Sequence, residues 1–139
     1  MASFLYDAGR NAFARGDIAW KASGGSTMKL QALDLAEYTA DGAVDANLSD
    51  IPGAARVGDP ATLALLDPVA GVCDAADTQL PGAEGGTEVG ALVGYLDSGV
   101  EATSTLIFYL DTATGLPFVT NDAPVDIVWS NGAHKIFKL

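Results

Sequence analysis

The chain has one cysteine, one histidine and seven basic residues among 139. Each scarcity closes off a class of function. Cys73 alone allows no intramolecular disulfide and no second thiol for a zinc site, so it reads as a small buried hydrophobe in the stretch AGVCDA. His134 alone, in the turn sequence SNGAHK, has no Ser or Cys motif beside it. Acid–base catalysis needs a positioned partner, and an exposed polar residue is the expectation. Seven Lys and Arg against 18 Asp and Glu give a net charge of -11. Such a surface repels a phosphate backbone, whose affinity for proteins depends on cations displacing counterions, and no direct nucleic-acid binding is expected. No window approaches the roughly 18 apolar residues of a membrane span. Asp7, Arg10 and Asn11 fall where a signal peptide would carry unbroken apolar sequence. The reading is a protein made and used without export and without a membrane partner.

Familiar site signatures are missing as well. The glycine pairs at 24–25 and 85–86 lack the Lys-Ser or Lys-Thr of a phosphate-binding loop, and no G-x-G-x-x-G opens a helix. Asp41 with Asp45, and Asp74 with Asp77, do not match the ligand spacing of a calcium loop and read as solvated acidic loops. Two carboxylates brought together by folding could hydrolyse a sugar, but spacing along a chain does not set their separation. No catalytic, cofactor-binding or metal residue is assigned, and no enzyme is expected. Unfolding should accordingly be indifferent to chelator and reductant. Trp20 and Trp129 read as anchors in the core or at a subunit interface, with a carbohydrate platform as the alternative.

What the chain does have is a 49% hydrophobic composition, 16 glycines and 6 prolines, which suits one turn-rich domain (residues 1–139) with a single core. Residues 1–16 predict a short amphipathic helix or arm. Ser3 is the candidate N-cap, Leu5, Ala8 and Ala12 lie on one stripe beside Tyr6, Gly9 and Phe13, and Gly16 is the stop. So short a helix must dock, either on its own domain or on another subunit. Residues 17–139 predict the β domain. MKLQALDL alternates as a strand, residues 37–60 read as a long acidic surface loop, and strands resume at ATLALLD and within GVCDAADTQL. After the turn PGAEGG, the rhyming segments ALVGYLDSG and LIFYLDTATG predict adjacent antiparallel strands, ended by Asp97 and Asp111. VDIVWSNGAHKIFKL reads as a closing hairpin, with Val125, Ile127 and Trp129 on one face, a turn at Ser130-Asn131-Gly132, and Ile136 or Phe137 returning. The fold expected is mainly β: six to eight strands in an antiparallel sandwich or barrel-like domain with a short N-terminal α-helix.

The stretches LYDAGRNAFARGDI, ALVGYLDSG, TSTLIFYLDTATGLP and VDIVWSNGAHKIFKL together resemble a family of small structural proteins of tailed bacteriophages. In that family a helix and a Gly-Asp turn lead into a strand, which TMKLQALDL fits approximately, while residues 40–86 depart most from the pattern. The resemblance implies a virion component without enzymatic residues. Its foremost implication is a capsid decoration, or cement, protein on the outer head surface, made in the host cytoplasm. The implied partners are the major capsid protein and further copies of itself as a homotrimer. A tail or head-to-tail connector component is the next implication, and a virion carbohydrate-binding module centred on Trp20 or Trp129 the third. Candidate partner-binding residues are Phe4, Leu5 and Tyr6, the most apolar stretch near a chain end, together with Phe13, Trp20 and Trp129.

Overall fold

The segments in which apolar residues alternate or run on become the centre of an antiparallel sheet. A computed structural model describes residues 3–139, so Met1 and Ala2 of the expected N-terminal segment lie outside the described residues. In chain order the elements are β1 (Phe4–Leu5), α1 (Asp7–Arg15), β2 (Met28–Leu33), β3 (Arg56–Thr62), β4 (Val72–Cys73), β5 (Thr78–Leu80), β6 (Glu88–Val89), β7 (Ala91–Leu96), β8 (Thr105–Leu110), β9 (Phe118–Val119), β10 (Val125–Ile127) and β11 (Phe137–Lys138). Five strands form one sheet in the order β1-β8-β7-β2-β3, and three small ladders pair β10 with β5, β11 with β4 and β6 with β9. The fold is mainly β with one α-helix near the N-terminus, as the sequence predicts. Among the described residues eleven strands stand where six to eight are expected, because several are two residues long, too short for an alternation to register.

Both faces of the five-stranded sheet are buried. In β7, Leu92 points into one apolar cluster while Ala91, Val93 and Tyr95 point into the other, as the two-residue period of a strand requires. The first face is covered by α1, by the small ladders and by Trp20, Trp129 and Phe137. The second is covered by the segment from Tyr38 to Ala55. That segment is the expected surface loop, and the expectation is corrected here. Tyr38, Ala40, Leu48, Ile51 and Ala55 are buried, two 3-10 turns form at Leu48–Asp50 and Gly53–Ala55, and β3 has already begun at Arg56. The carboxylates that made the segment look solvated act as local acceptors. Asp50 accepts the N–H groups of Ala46 and Asn47 at 2.8 and 2.9 Å, and those two bonds hold its carboxyl below the usual range. Asp41 likewise accepts from Ala43 and Val44.

Two irregularities shape the sheet. In the β7–β8 ladder Gly94 pairs with Phe108 but Tyr95 pairs with Leu106, so Ile107 is an extra residue and both Ile107 and Phe108 turn toward the first face. In the β2–β3 ladder the register jumps between Leu30 and Ala32. The amide of the buried Gln31 fills the gap by donating to the Val57 and Gly58 carbonyls at 3.0 and 3.1 Å. Strand β3 is an edge of the sheet and carries Gly58, Asp59 and Pro60, residues that discourage pairing with another chain.

The N-terminal helix begins later than expected. Tyr6, not Ser3, occupies the N-cap position, and Gly42 of the covering segment accepts the Asp7 N–H at 2.8 Å. The Ser3 hydroxyl instead meets Thr112 at 2.9 Å and accepts from the Asp111 N–H at 3.2 Å, because Phe4 and Leu5 extend the sheet along β8. Gly16 ends the helix in the left-handed region at φ 80°, as predicted.

The closing hairpin does not form. Strand β10 pairs with β5 and β11 pairs with β4, so the two halves of the last fifteen residues join different partners. Nothing within the segment distinguishes a local partner from a distant one of equal length.

Candidate partner-binding surfaces

The residues singled out in the sequence gather in two aromatic clusters, one on each face. On the first face Phe13 and Trp20 pack edge-on to Phe137 at centroid distances of 5.8 and 5.2 Å. Phe108 lies 5.7 Å from Phe137 and 6.3 Å from Trp129. Trp20 and Trp129 are only 5% and 7% exposed, and each indole N–H is satisfied internally. Trp20 donates to the Asp74 carbonyl at 2.9 Å and Trp129 to the Thr78 hydroxyl at 3.1 Å. They serve the core of the chain itself, and neither offers a face for a sugar ring to stack on. On the second face Phe4 stacks on Tyr109 at 5.0 Å and meets Tyr6 edge-on at 5.1 Å. The apolar N-terminal stretch is therefore docked along its own domain, with Tyr6 fully buried and Phe4 and Leu5 half-buried, and does not project as an arm.

A polar chain pins the covering segment to that second cluster. The Tyr6 and Tyr38 hydroxyls are 3.0 Å apart, and Tyr38 donates to Asp45 at 2.6 Å. Asp45 also accepts the Asp41 N–H at 2.9 Å. Burial, which opposes the phenolate charge, raises the proton affinities of Tyr6, Tyr38 and Tyr95, and pushes Tyr109 up to about 12. These are all four tyrosines of the chain. A folded pKa above the unfolded value contributes stability that is complete below the unfolded value of about 10 and is lost as pH rises through the folded one. Alkaline titration should therefore show tyrosinate absorbance and loss of circular dichroism rising together above pH ~10. Tyrosines that ionise near that pH in a still-folded protein would contradict this packing.

The exterior is acidic but not uniformly so. Four basic side chains are ion-paired: Arg10 with Asp7, Arg15 with Asp17, Lys29 with Asp97 and Arg56 with Glu101, at 2.7–3.1 Å. Lys21, Lys135 and Lys138 have no carboxylate within salt-bridge distance among the described residues. The N–H next to Lys21, that of Ala22, donates to Asp67 at 2.9 Å. Lys135 lines an open groove of about 390 Å³ with Leu66, Val69 and Val72 and with the carboxylates Asp67 and Asp74. Lys138 sits opposite Val72 in the β11–β4 ladder. His134, beside Lys135, is exposed as expected, and Cys73 is buried, its thiol pushed up to about 11 by burial. A second groove runs between residues 112–118 and 125–130, over Leu92, Leu116, Phe118 and Ile127. Among the described residues no group of three or more His, Cys, Asp or Glu side chains converges as metal ligands would. No helix is long and apolar enough to cross a membrane.

Sequence reasoning named the aromatic anchors but missed the open groove beside Val69. That groove joins residues 66–74 to residues 132–135, and the Trp20 indole and Ala22 N–H groups dock their segment beside it on Asp74 and Asp67. No family model, curated protein or solved structure matches the chain.

Proposed function

We propose that this chain is a capsid decoration protein of a tailed bacteriophage, binding the major capsid protein on the outer head surface as a homotrimer and bracing the shell. The observation that carries the reading is how the domain divides its apolar residues. Both faces of its sheet are covered by its own segments, so the fold needs no partner. The large apolar side chains left outside, Val44, Leu66, Val69, Val100, Val119 and Val128 among them, lie in loops and on short outer strands of a surface with charge -11. Mutual repulsion keeps a domain of that kind from indiscriminate association, and small apolar contacts gain strength where several subunits present their complements at once. The resemblance of the N-terminal, central and C-terminal stretches to phage structural proteins points the same way.

A decoration protein opposes the outward pressure of packaged DNA by bridging capsomers. Particles assembled without this chain should release their DNA at a lower temperature than complete particles, and adding back the purified protein should restore the difference. Equal thermal release with and without it would count against the bracing role. The connector reading would then be favoured if the chain is found only at the tail vertex.

A further inference from the structure

The turn that joins the two anchored halves of the C-terminal segment is exposed along its length. Trp129 and Phe137 are buried on the first face, while Ser130, Asn131, Gly132, Ala133 and His134 between them all face solvent. Asn131 precedes Gly132, the one Asn-Gly pair among the four asparagines of the chain. The Asn131 side chain makes no hydrogen bond among the described residues. The Gly132 N–H is held by the exposed Ser130 hydroxyl at 3.0 Å, a contact that water can replace. The other asparagines are held or blocked. Asn11 lies within α1, Asn47 is followed by the buried Leu48, and Asn121 accepts the Ala123 N–H at 3.2 Å and is followed by Asp122. The one Asp-Gly pair, Asp41–Gly42, is held as well. Asp41 accepts from Ala43 and Val44, while Gly42 accepts the Asp7 N–H and lies against the Phe4 ring.

From this contrast we infer that Asn131 is a modification site, deamidated spontaneously by a reaction that needs only this chain and water. The Gly132 backbone nitrogen gives its proton to solvent base and attacks the Asn131 Cγ. A Cγ–N bond forms and closes a succinimide ring, and the Cγ–Nδ2 bond breaks as ammonia leaves with a proton taken from water. Water then opens the ring at one of its carbonyls. Breaking the new bond gives aspartate, and breaking the original main-chain bond gives isoaspartate; nothing is oxidised or reduced in either. Glycine permits the attack because no Cβ crowds the nitrogen or narrows the backbone angles it needs. The product carries one carboxylate where a neutral amide stood, so the net charge passes from -11 to -12. Isoaspartate also adds a carbon to the backbone of a turn closed by the Lys135 N–H on the Gly132 carbonyl at 3.3 Å. Beyond that turn Ile136 donates to the Cys73 carbonyl at 3.2 Å and Phe137 pairs with Cys73, so the anchors stay in place while the turn changes. The conversion is one-way, and its extent records the age of the folded protein.

The test is incubation of the folded chain at mildly alkaline pH, below the range in which its tyrosines ionise. Ion exchange then reads the charge, and a protein isoaspartate methyltransferase with labelled S-adenosylmethionine reads the isoaspartate. The wild-type chain should convert to a more acidic species that accepts the label, and faster as the pH is raised, because the attacking nitrogen must first lose its proton. Asn131→Gln should lose nearly all of that conversion. So should Gly132→Ala, whose added Cβ meets only the Ser130 hydroxyl, and both should keep the circular dichroism spectrum of the wild type. A wild-type chain that stays a single charge species overturns the proposal, since the turn then holds Asn131 out of reach of the Gly132 nitrogen. Conversion that persists in Asn131→Gln overturns it by placing the labile residue elsewhere. Equal conversion in Gly132→Ala with no label accepted overturns it in favour of direct hydrolysis of a side-chain amide.

Discussion

Trp129→Ala is expected to cost ~3–5 kcal/mol, much of the stability of a domain this size, and to give largely insoluble protein. The indole fills space against Phe108, and its N–H satisfies the buried Thr78 hydroxyl at 3.1 Å. The Trp129 backbone N–H also ties its segment to the Asp77 carboxylate at 3.1 Å. Truncation leaves a cavity beside the sheet and removes one of the two hydrogen-bond partners of the Thr78 hydroxyl, the other being the Ala76 carbonyl at 3.2 Å. Trp129→Phe keeps most of the volume and should cost less than half as much. Denaturant unfolding of the two variants checks the order. Near-equal stability of wild type and Trp129→Ala would mean that Trp129 is a surface residue available to a ligand.

Gly9→Val should be comparably damaging for a different reason. A Cβ on Gly9 would lie 2.8 Å from the Ile107 Cα and 3.0 Å from the carbonyl oxygens of Leu106 and Ile107, all backbone atoms that cannot swing aside. Valine is a better helix former than glycine, so any loss must come from this contact and not from propensity. The helix can respond only by lifting from β8. At nine residues it has no stability of its own once undocked, and lifting uncovers Ala12 and Phe13. A loss of about 3 kcal/mol, at the upper end for overpacking, is expected. Ala14→Val, on the exposed face of the same helix, should change stability by less than about 1 kcal/mol. Equal effects from the two variants would show that the close approach at Gly9 has no special role.

Much of this fold is legible from periodicity. The long apolar segments MKLQAL, ALVGYL and TLIFYL are the three central strands of the sheet, and the two rhyming segments are neighbours as expected. Legibility stops where partners are distant. The segment VDIVWSNGAHKIFKL carries a hairpin's local signals, yet its strands find Thr78–Leu80 and Val72–Cys73. The bulge that turns Ile107 and Phe108 to one face leaves a trace in the sequence only as Gly94 opposite, where a Cβ would overlap the Phe108 ring. Between Tyr38 and Ala55 the acidic residues suggest solvent. The buried positions Tyr38, Ala40, Leu48, Ile51 and Ala55 follow no helical or strand period, because the segment covers the sheet through irregular turns. The candidate surfaces were legible only as a list of aromatics. Five of those six residues lie in or against the two aromatic clusters and Leu5 packs beside them, while the exposed apolar and cationic groups become a surface only after folding.

The most direct measurement of the decoration reading is the position and abundance of the chain on intact particles. Particles carrying a small tag on exposed Ser49 would be imaged by electron microscopy with a gold-labelled tag binder. The account predicts label spread over the whole head at many copies per particle and absent from particles made without the chain. Label confined to the tail or to a single vertex, or no label on particles at all, would contradict it.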